Sequence, residues 1–298
     1  MNKAIQIILL FFTLNFTIKT VDAQSIQSGL NYNIHFAVQQ YDHSLYNKMV
    51  GRQVVDNQNG IQTKTGTWEV SKVEKQIDTE TSEFLVTFRL TKGFEKSAAT
   101  LVEFQFSDWN KDNYVLLPAS AYNGNRYESR RIPYSPKLND ARDIGKDKPM
   151  IISDIPRLNI ADGVSLIQER SGSMALPCVG FQSVTTQKGF FLTTLQANTY
   201  GDFGMNIEES RDRKNAVISL CSPLVRERVK YQICDNQAPS TDQPADFKQG
   251  DEVKFTFRVH QFKAEKIQTI FDKYSKSEKN CVQYPLLLHK FLFLLVMI

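Results

Sequence analysis

The sequence is poor in the residues that build metal centres and disulfide frameworks. It has four cysteines and four histidines in 298 residues, and none of them forms a metal-ligand spacing with another cysteine, histidine or carboxylate. Four cysteines are too few to staple a chain of this length. A disulfide between Cys221 and Cys234 stays open, as does the alternative that both are small buried side chains. We predict no metal site and no cofactor.

A phosphate-binding loop and an excess of one charge are also missing. No glycine-rich loop of the nucleotide-binding kind is present, which removes nucleotide-dependent chemistry. The 36 basic and 32 acidic residues leave a net charge of +4. This balance gives no case for a nucleic-acid partner or for attraction to a membrane surface.

No apolar run reaches the length of a membrane span, which takes about 20 residues. The run over residues 4–18 follows a lysine and precedes Ala23, in the pattern of a signal peptide cleaved after that alanine. An uncleaved anchor is the alternative, but Asn15 and Lys19 shorten the usable run. Cleavage leaves 275 of the 298 residues, with a net charge of +3. We therefore predict a signal peptide over residues 1–23 and a periplasmic or secreted protein.

Alternation of apolar and polar side chains dominates from residue 24 to residue 260, and this period of two is typical of strands with one buried face. The clearest runs are Tyr32, Ile34, Phe36 and Val38; Phe84, Val86, Phe88 and Leu90; Val102, Phe104 and Phe106; and Val253, Phe255, Phe257 and Val259. Shorter runs lie at residues 115–117, 190–195 and 216–220. Because no amphipathic helices separate them, we predict an all-β fold, a large antiparallel β-sandwich over residues 24–262.

Turns and one long loop interrupt the predicted strands. Dipeptides such as Lys92-Gly93, Lys188-Gly189 and Gln249-Gly250 predict strand boundaries. Residues 128–162 contain four prolines and many charges with little periodicity, so we predict an extended ordered loop that wraps the sandwich.

The pattern becomes helical after residue 262. Ile267, Ile270, Phe271 and Tyr274 recur at spacings of three and four, which predicts a short amphipathic linker helix within residues 263–280. Residues 281–298 end in an apolar run unlike anything upstream in the mature chain. We interpret this tail as aberrant sequence, and a short buried terminal strand is the alternative.

Aromatic and polar side chains interleave most densely around Trp109 and Tyr122. Aromatic rings stack on the apolar face of a sugar, and the side chains of Asn125 and Arg126 can hydrogen-bond to its hydroxyl groups. These four residues are therefore the candidate glycan-binding residues. The alternative is a pair of strand-edge turns with Trp109 and Tyr122 packed inward.

Catalytic candidates are weaker. Two carboxylates at the right separation hydrolyse a glycosidic bond, and residues 201–213 hold the best acidic set, including Asp202, Glu208 and Glu209. Arginines lie among these acids, so a salt-bridged, solvated loop is the preferred interpretation. Ser171 lacks the flanking glycine pattern of a nucleophile turn. We assign no catalytic residue.

Six short motifs carry a family resemblance: residues 114–119 (YVLLPA), 122–127 (YNGNRY), 132–136 (IPYSP), 154–159 (DIPRLN), 168–173 (QERSGS) and 207–212 (IEESRD). They are similar to the amino-terminal region of large secreted glycoside-hydrolase-like proteins of Bacteroidota, over about residues 31–274. The resemblance implies a β-supersandwich, then a helical linker and an (α/α)-barrel that holds the catalytic carboxylates. No position here matches the barrel, so a truncated or frame-shifted gene would explain the tail.

Three functions follow as hypotheses. The first is a noncatalytic sandwich module that braces the absent barrel and contacts glycan; it predicts an exposed apolar face near the terminal helix. The second is a stand-alone periplasmic glycan-binding protein with a concave aromatic cleft around Trp109. The third is a small glycoside hydrolase using Glu208 or Asp202, which needs a carboxylate pair in a pocket with one raised pKa.

Overall fold

The computed structural model describes residues 30–42, 47–55, 60–118, 121–122, 158, 165–226 and 242–279. These residues form sixteen strands and one α-helix. The strands are β1 Asn33–Tyr41, β2 Met49–Val55, β3 Ile61–Gln62, β4 Gly66–Asp78, β5 Thr81–Phe106, β6 Tyr114–Leu117, β7 Ala121–Tyr122, β8 Ser165–Arg170, β9 Cys178–Ser183, β10 Lys188–Thr194, β11 Ala197–Asn198, β12 Gly201–Asp202, β13 Gly204–Glu209, β14 Ala216–Ser222, β15 Ala245–Lys248 and β16 Glu252–Lys263. The helix, α1, is Gln268–Lys279.

Two sheets share the long strand β5. In the first sheet the order is β2-β1-β5-β14-β13-β8, and β15 also pairs with β5. In the second the order is β3-β4-β5-β16-β10-β9-β6-β7. Every strand pair of the described residues is antiparallel, which confirms the predicted all-β, antiparallel fold.

Strand β5 passes from one sheet to the other without a break. The turn predicted at Lys92-Gly93 as a strand boundary is therefore wrong, because Gly93 bends a continuous 26-residue strand. Its φ is +80°, a conformation that glycine adopts without steric cost, and a Cβ there would lie 2.0 Å from the Thr65 carbonyl oxygen. Ser97 also has a positive φ, +53°. The bend lets the same strand pair with β16 before it and with β1 and β14 after it.

One hydrophobic core lies between the two sheets. The predicted inward positions of β1, β5 and β16 occupy it, among them Phe36, Phe104 and Phe257. Phe257 stacks on Phe84 of the second sheet at a centroid distance of 5.1 Å and meets Phe104 of the first sheet edge-on at 5.7 Å. The core therefore joins both sheets through aromatic contacts.

The helix covers part of the outer face of the second sheet. Ile270 is buried there with Phe191, Phe262 and Leu116, and Tyr274 packs beside them. The predicted amphipathic helix is present, but β16 extends to Lys263 and the helix begins at Gln268, so Ile267 precedes it. None of the described helices is long and apolar enough to cross a membrane.

Candidate functional site

Trp109 lies in the interior rather than on an open platform. Only 6% of the residue is exposed, and its ring packs on Phe181 and Phe106 at centroid distances of 4.6 and 6.2 Å. Its indole N–H donates to Glu209 Oε1 at 2.6 Å. This arrangement corresponds to the inward-packed alternative for this tryptophan. Tyr122 lies on β7, and Asn125 and Arg126 lie outside the described residues, so the glycan-binding set as a whole stays a prediction.

Glu209 is the buried centre of a polar cluster. Its Oε2 accepts the Ser165 hydroxyl at 2.7 Å and faces Arg213 Nε at 3.5 Å, and both charged side chains are almost fully buried. The prediction of a solvated loop over residues 201–213 is wrong, because residues 204–209 form strand β13 and Glu209 faces the core. The salt bridge is present, but it joins two desolvated charges, and one of them, Glu209, also holds the Trp109 indole.

The other acids of that segment form no catalytic pair among the described residues. Glu208 is exposed, and Asp202 Oδ2 lies 3.6 Å from Arg170 Nε. Asp242 also holds Arg170, and it binds Arg226 Nε at 2.6 Å. Arg170 ties strand β8 to Asp242, and Arg226 ties the segment after β14 to the same carboxylate, which is a structural role.

One carboxyl in the first sheet has a raised pKa. Glu103 is 2% exposed, and burial raises the pKa of this carboxyl although Arg52 beside it acts in the opposite direction. Arg52 Nη2 donates to both carboxylate oxygens, at 2.7 and 2.6 Å. An arginine clamped on both oxygens occupies the lone pairs that a nucleophile or base would use. We interpret Glu103 as part of a buried ion pair.

A polar cavity of about 310 Å³ lies between the helix and the outer face of the second sheet. Strand β4 contributes Ile77 and Asp78 to its wall; the other lining residues are Thr81 of β5, Thr193 of β10, Arg258 and His260 of β16, and Lys273, Lys276 and Ser277 of α1. The antiparallel register explains this grouping, because Thr81 lies opposite His260 and Thr193 lies opposite Arg258. The cavity thus gathers donors and acceptors from five elements.

Ion pairs fix the two most buried cations of the cavity. Arg258 Nη2 lies 2.9 Å from Glu83 Oε2, and Lys273 Nζ lies 2.9 Å from Glu80 Oε2. The Lys273 ammonium also lies 5.2 Å from the centroid of the Phe262 ring. Lys276 makes no ion pair within the described part of the chain, and it is exposed.

His260 is the buried titratable group of the cavity wall. Its Nδ1 is 3.0 Å from Thr81 Oγ1, and its Nε2 has no hydrogen-bond partner among the described residues. Burial, then the charges of Lys273 and Arg258, lower the pKa of this imidazole to about 4, while Asp78 acts in the opposite direction. The ring is therefore neutral at physiological pH.

The cavity was not predicted from the sequence, although part of its pattern is visible there. Arg258 and His260 occupy the outward positions of the last predicted strand, and Lys273 and Lys276 lie three residues apart on the predicted helix. The pairing of that strand with Thr81, 179 residues away, is set by tertiary structure alone. Within the described ranges, no group of three or more His, Cys, Asp or Glu side chains is arranged to hold a metal ion.

Comparison with known proteins gives a distant structural likeness. No protein-family model matches this chain, and no curated protein sequence matches it. Among solved structures, the chain is similar to one described as "Putative kojibiose phosphorylase from human microbiome", with 9% sequence identity and a TM-score of 0.33. The similarity covers 84% of this chain and 25% of that one, so the chain spans about a quarter of that protein's length.

Proposed function

We propose that this chain is the noncatalytic β-sandwich module of a secreted carbohydrate-active enzyme, bracing a catalytic (α/α)-barrel and contacting glycan beside it. The proposal rests on the sequence motifs similar to secreted glycoside-hydrolase-like proteins and on the order of elements, in which a helix directly follows the last strand of an all-β domain. The observation that supports the proposal most strongly is an exposed apolar surface beside that helix.

An apolar flank, formed by Ile267 just before the helix and Phe271 within it, is exposed. Ile267 and Phe271 are 40% and 36% exposed, although Ile270, between them in sequence, is fully buried. The Phe271 ring meets Tyr114 of β6 at a centroid distance of 6.1 Å, so the flank continues onto the second sheet. Val184, just beyond β9, is 43% exposed. Exposed apolar side chains beside a linker helix are what a module that docks on this end would cover.

The alternative of a stand-alone glycan-binding protein requires a concave aromatic cleft around Trp109. Trp109 is buried and hydrogen-bonded to Glu209, so its ring is not exposed for a sugar to stack on. The alternative of a small hydrolase requires a converging carboxylate pair, and the described cavity has one carboxylate, Asp78, in its wall. The module proposal is therefore the best supported of the three.

The genomic sequence downstream of codon 280 tests the proposal directly. We expect one of the reading frames to encode a helical barrel with paired carboxylates. A downstream region that encodes no such barrel in any frame would contradict the proposal.

The encoded barrel also permits a binding test. We expect it, expressed separately, to associate with the sandwich in size-exclusion chromatography, and Phe271→Ser to weaken that association. Val73→Ser is the matched control, because Val73 is 62% exposed on β4 and lies outside the helix flank. Equal effects of the two variants would mean that the flank is not the docking surface.

Glycoside turnover separates the module from a hydrolase. We expect the purified chain to release no sugar from plant or host polysaccharides, since a hydrolase needs two carboxylates at a defined separation. Turnover that disappears in Glu208→Gln would instead establish the chain as an enzyme.

A further inference from the structure

The cavity under helix α1 has the size and the chemistry of a small binding site. Its volume of about 310 Å³ gives room for several water molecules and lies at the lower end of the range for ligand pockets. Among the described residues, Ile77 is the one apolar residue of its wall. A cavity between a helix and a sheet is normally filled by apolar side chains, as it is on the Ile270 side of the same helix. The polar lining therefore calls for a polar occupant.

Positive charge dominates the wall of the cavity. Within the described part of the chain, Arg258, Lys273 and Lys276 line it together with one carboxylate, Asp78. Glu80 and Glu83 pair with two of these cations but do not line the cavity, so a ligand inside it lies closer to the cations than to these acids. Since the Coulomb energy falls with distance, a negative group is favoured at this position.

Burial strengthens this preference. The side chain of Lys273 is 17% exposed, whereas that of its partner Glu80 is 49% exposed. Solvent therefore screens the acid more than the cation. Lys276 has no carboxylate partner within the described residues, and its ammonium group is available to a ligand. Three basic side chains from a helix and a strand then line one small volume.

Neutral hydrogen-bonding groups complete the wall. His260 is 7% exposed, and its Nε2 lacks a partner in the described part of the chain. A buried ring nitrogen without a hydrogen-bond partner is destabilising, and a ligand oxygen would supply that partner. Thr81, Thr193 and Ser277 add hydroxyl groups to the same wall.

We propose that this cavity binds a small oxyanion, the carboxylate, sulfate or phosphate group of an acidic ligand, with Lys273 and Lys276 as the charged donors and His260 as a hydrogen-bonding wall. The inference goes beyond the proposed function, because it depends on the wall of the cavity and not on the presence of a catalytic barrel.

Isothermal titration calorimetry on the full chain tests the proposal. The probes are sodium sulfate, sodium phosphate and D-glucuronate, each at constant ionic strength held with sodium chloride, and D-glucose is the neutral counterpart of glucuronate. We expect saturable binding of at least one oxyanion and none of glucose. Binding of sulfate and phosphate identifies a tetrahedral group, whereas binding of glucuronate alone identifies a sugar carboxylate.

Three lysine variants locate the site. Lys276→Gln and Lys273→Gln should each weaken the binding roughly tenfold, the loss expected for one charge-assisted hydrogen bond. Lys254→Gln is the matched control, because Lys254 lies on the same strand as His260 but outside the cavity and pairs with Glu252 at 3.0 Å. Circular dichroism establishes that each variant is folded.

Two results would overturn the proposal. One is the absence of saturable binding for all three oxyanions, which would mean that the cations serve only to hold the helix on the sheet. The other is binding that Lys254→Gln weakens as much as Lys276→Gln, which would place the anion elsewhere on the surface.

Discussion

Phe257 is one of the aromatic residues through which the two sheets contact each other. Its ring is 1% exposed and lies between Phe84 and Phe104. Phe257→Ala should therefore lower the free energy of unfolding by about 3 to 5 kcal/mol, the usual cost of emptying a buried aromatic site. Urea titration measures the loss. Leu85→Ala, a change at a 42% exposed position of β5, should cost less than about 1 kcal/mol. A small loss for Phe257→Ala would show that the core tolerates the cavity.

His260 makes the stability depend on pH in a defined window. The unfolded imidazole takes up its proton near pH 6.5, whereas the folded one does so only near pH 4. Stability should therefore be complete above pH 6.5 and be lost as the pH falls toward 4, by roughly 3 kcal/mol at most. Lys273, Arg258 and Asp78 are the charged groups that act on this ring.

His260→Asn provides the comparison that isolates this effect. An amide keeps a hydrogen bond to Thr81 but has no proton to gain. Urea titrations of both proteins at pH 7.5, 6.0 and 5.0 should show a steeper decline for the native chain than for the variant. Parallel declines would mean that other groups account for the acid sensitivity.

At the scale of elements, the bend in β5 decides how two sheets share one strand. Glu95, just after the bend, is fully buried and accepts the side-chain donors of Gln40, Thr63 and Thr65. This network holds the β3 to β4 turn against the bend. Gly93 is the residue that lets the chain pass so close to Thr65. The bend is therefore fixed by backbone conformation and by polar side chains together.

Gly93→Ala should destabilise the domain more than an alanine at another glycine with positive φ. Gly250 is the control, because its φ is +95° and an added Cβ meets nothing within 4 Å. Backbone strain of about 1 to 2 kcal/mol applies to both variants. The clash with the Thr65 carbonyl should add about 1 to 3 kcal/mol at Gly93 alone. Thermal unfolding of the two variants checks this, and equal midpoints would show that the bend relaxes freely.

Alternation of apolar and polar side chains predicted β1, β16, β14 and both halves of β5. In β1, β16 and the first half of β5, one face lies in the core and the other is more exposed. The second half of β5 and β14 are buried on both faces, but Glu103 and Ser219 keep one face polar in sequence. Strand β9 was missed because both of its faces are buried, Val179 in the core and Cys178 under the helix. The outer half of β4 was missed for the opposite reason, since residues from Val73 onward are exposed on both faces. A period of two appears only where the two faces differ.

The cavity was not predicted from the sequence for a related reason. Its residues occupy the polar, outward positions that alternation assigns to solvent, and the helix that covers some of them is separate in sequence. Arg258 and His260 therefore had the pattern of a solvent-exposed strand face. The sequence left Cys221 open as a disulfide partner. In the structure Cys221 is a free, buried thiol, and burial raises its pKa to about 11.

At the scale of the whole molecule, the domain consists of a sandwich, a helix packed on its outer face and a remaining terminal segment. The helix contributes Ile270 to a buried cluster, so it belongs to the fold. Residues 281–298 lie outside the described residues. Eleven of the last fourteen residues are Leu, Phe, Val, Met or Ile. The tail follows residues 276–280, a stretch of Lys, Ser, Glu and Asn. A polar stretch followed by an apolar run conflicts with the alternating pattern upstream.

Deleting residues 281–298 tests whether this tail stabilises the domain. We expect the midpoint of thermal unfolding to stay unchanged and the soluble yield to rise, because an exposed apolar segment promotes association. Deleting residues 265–298 is the control, and it should lower the midpoint by several degrees, since it removes Ile270 and Tyr274 from their contacts with Phe191. Differential scanning calorimetry measures both deletions. If the shorter deletion lowers the midpoint as much as the longer one, the tail is a packed element, and the interpretation of this chain as a truncated module has to be abandoned.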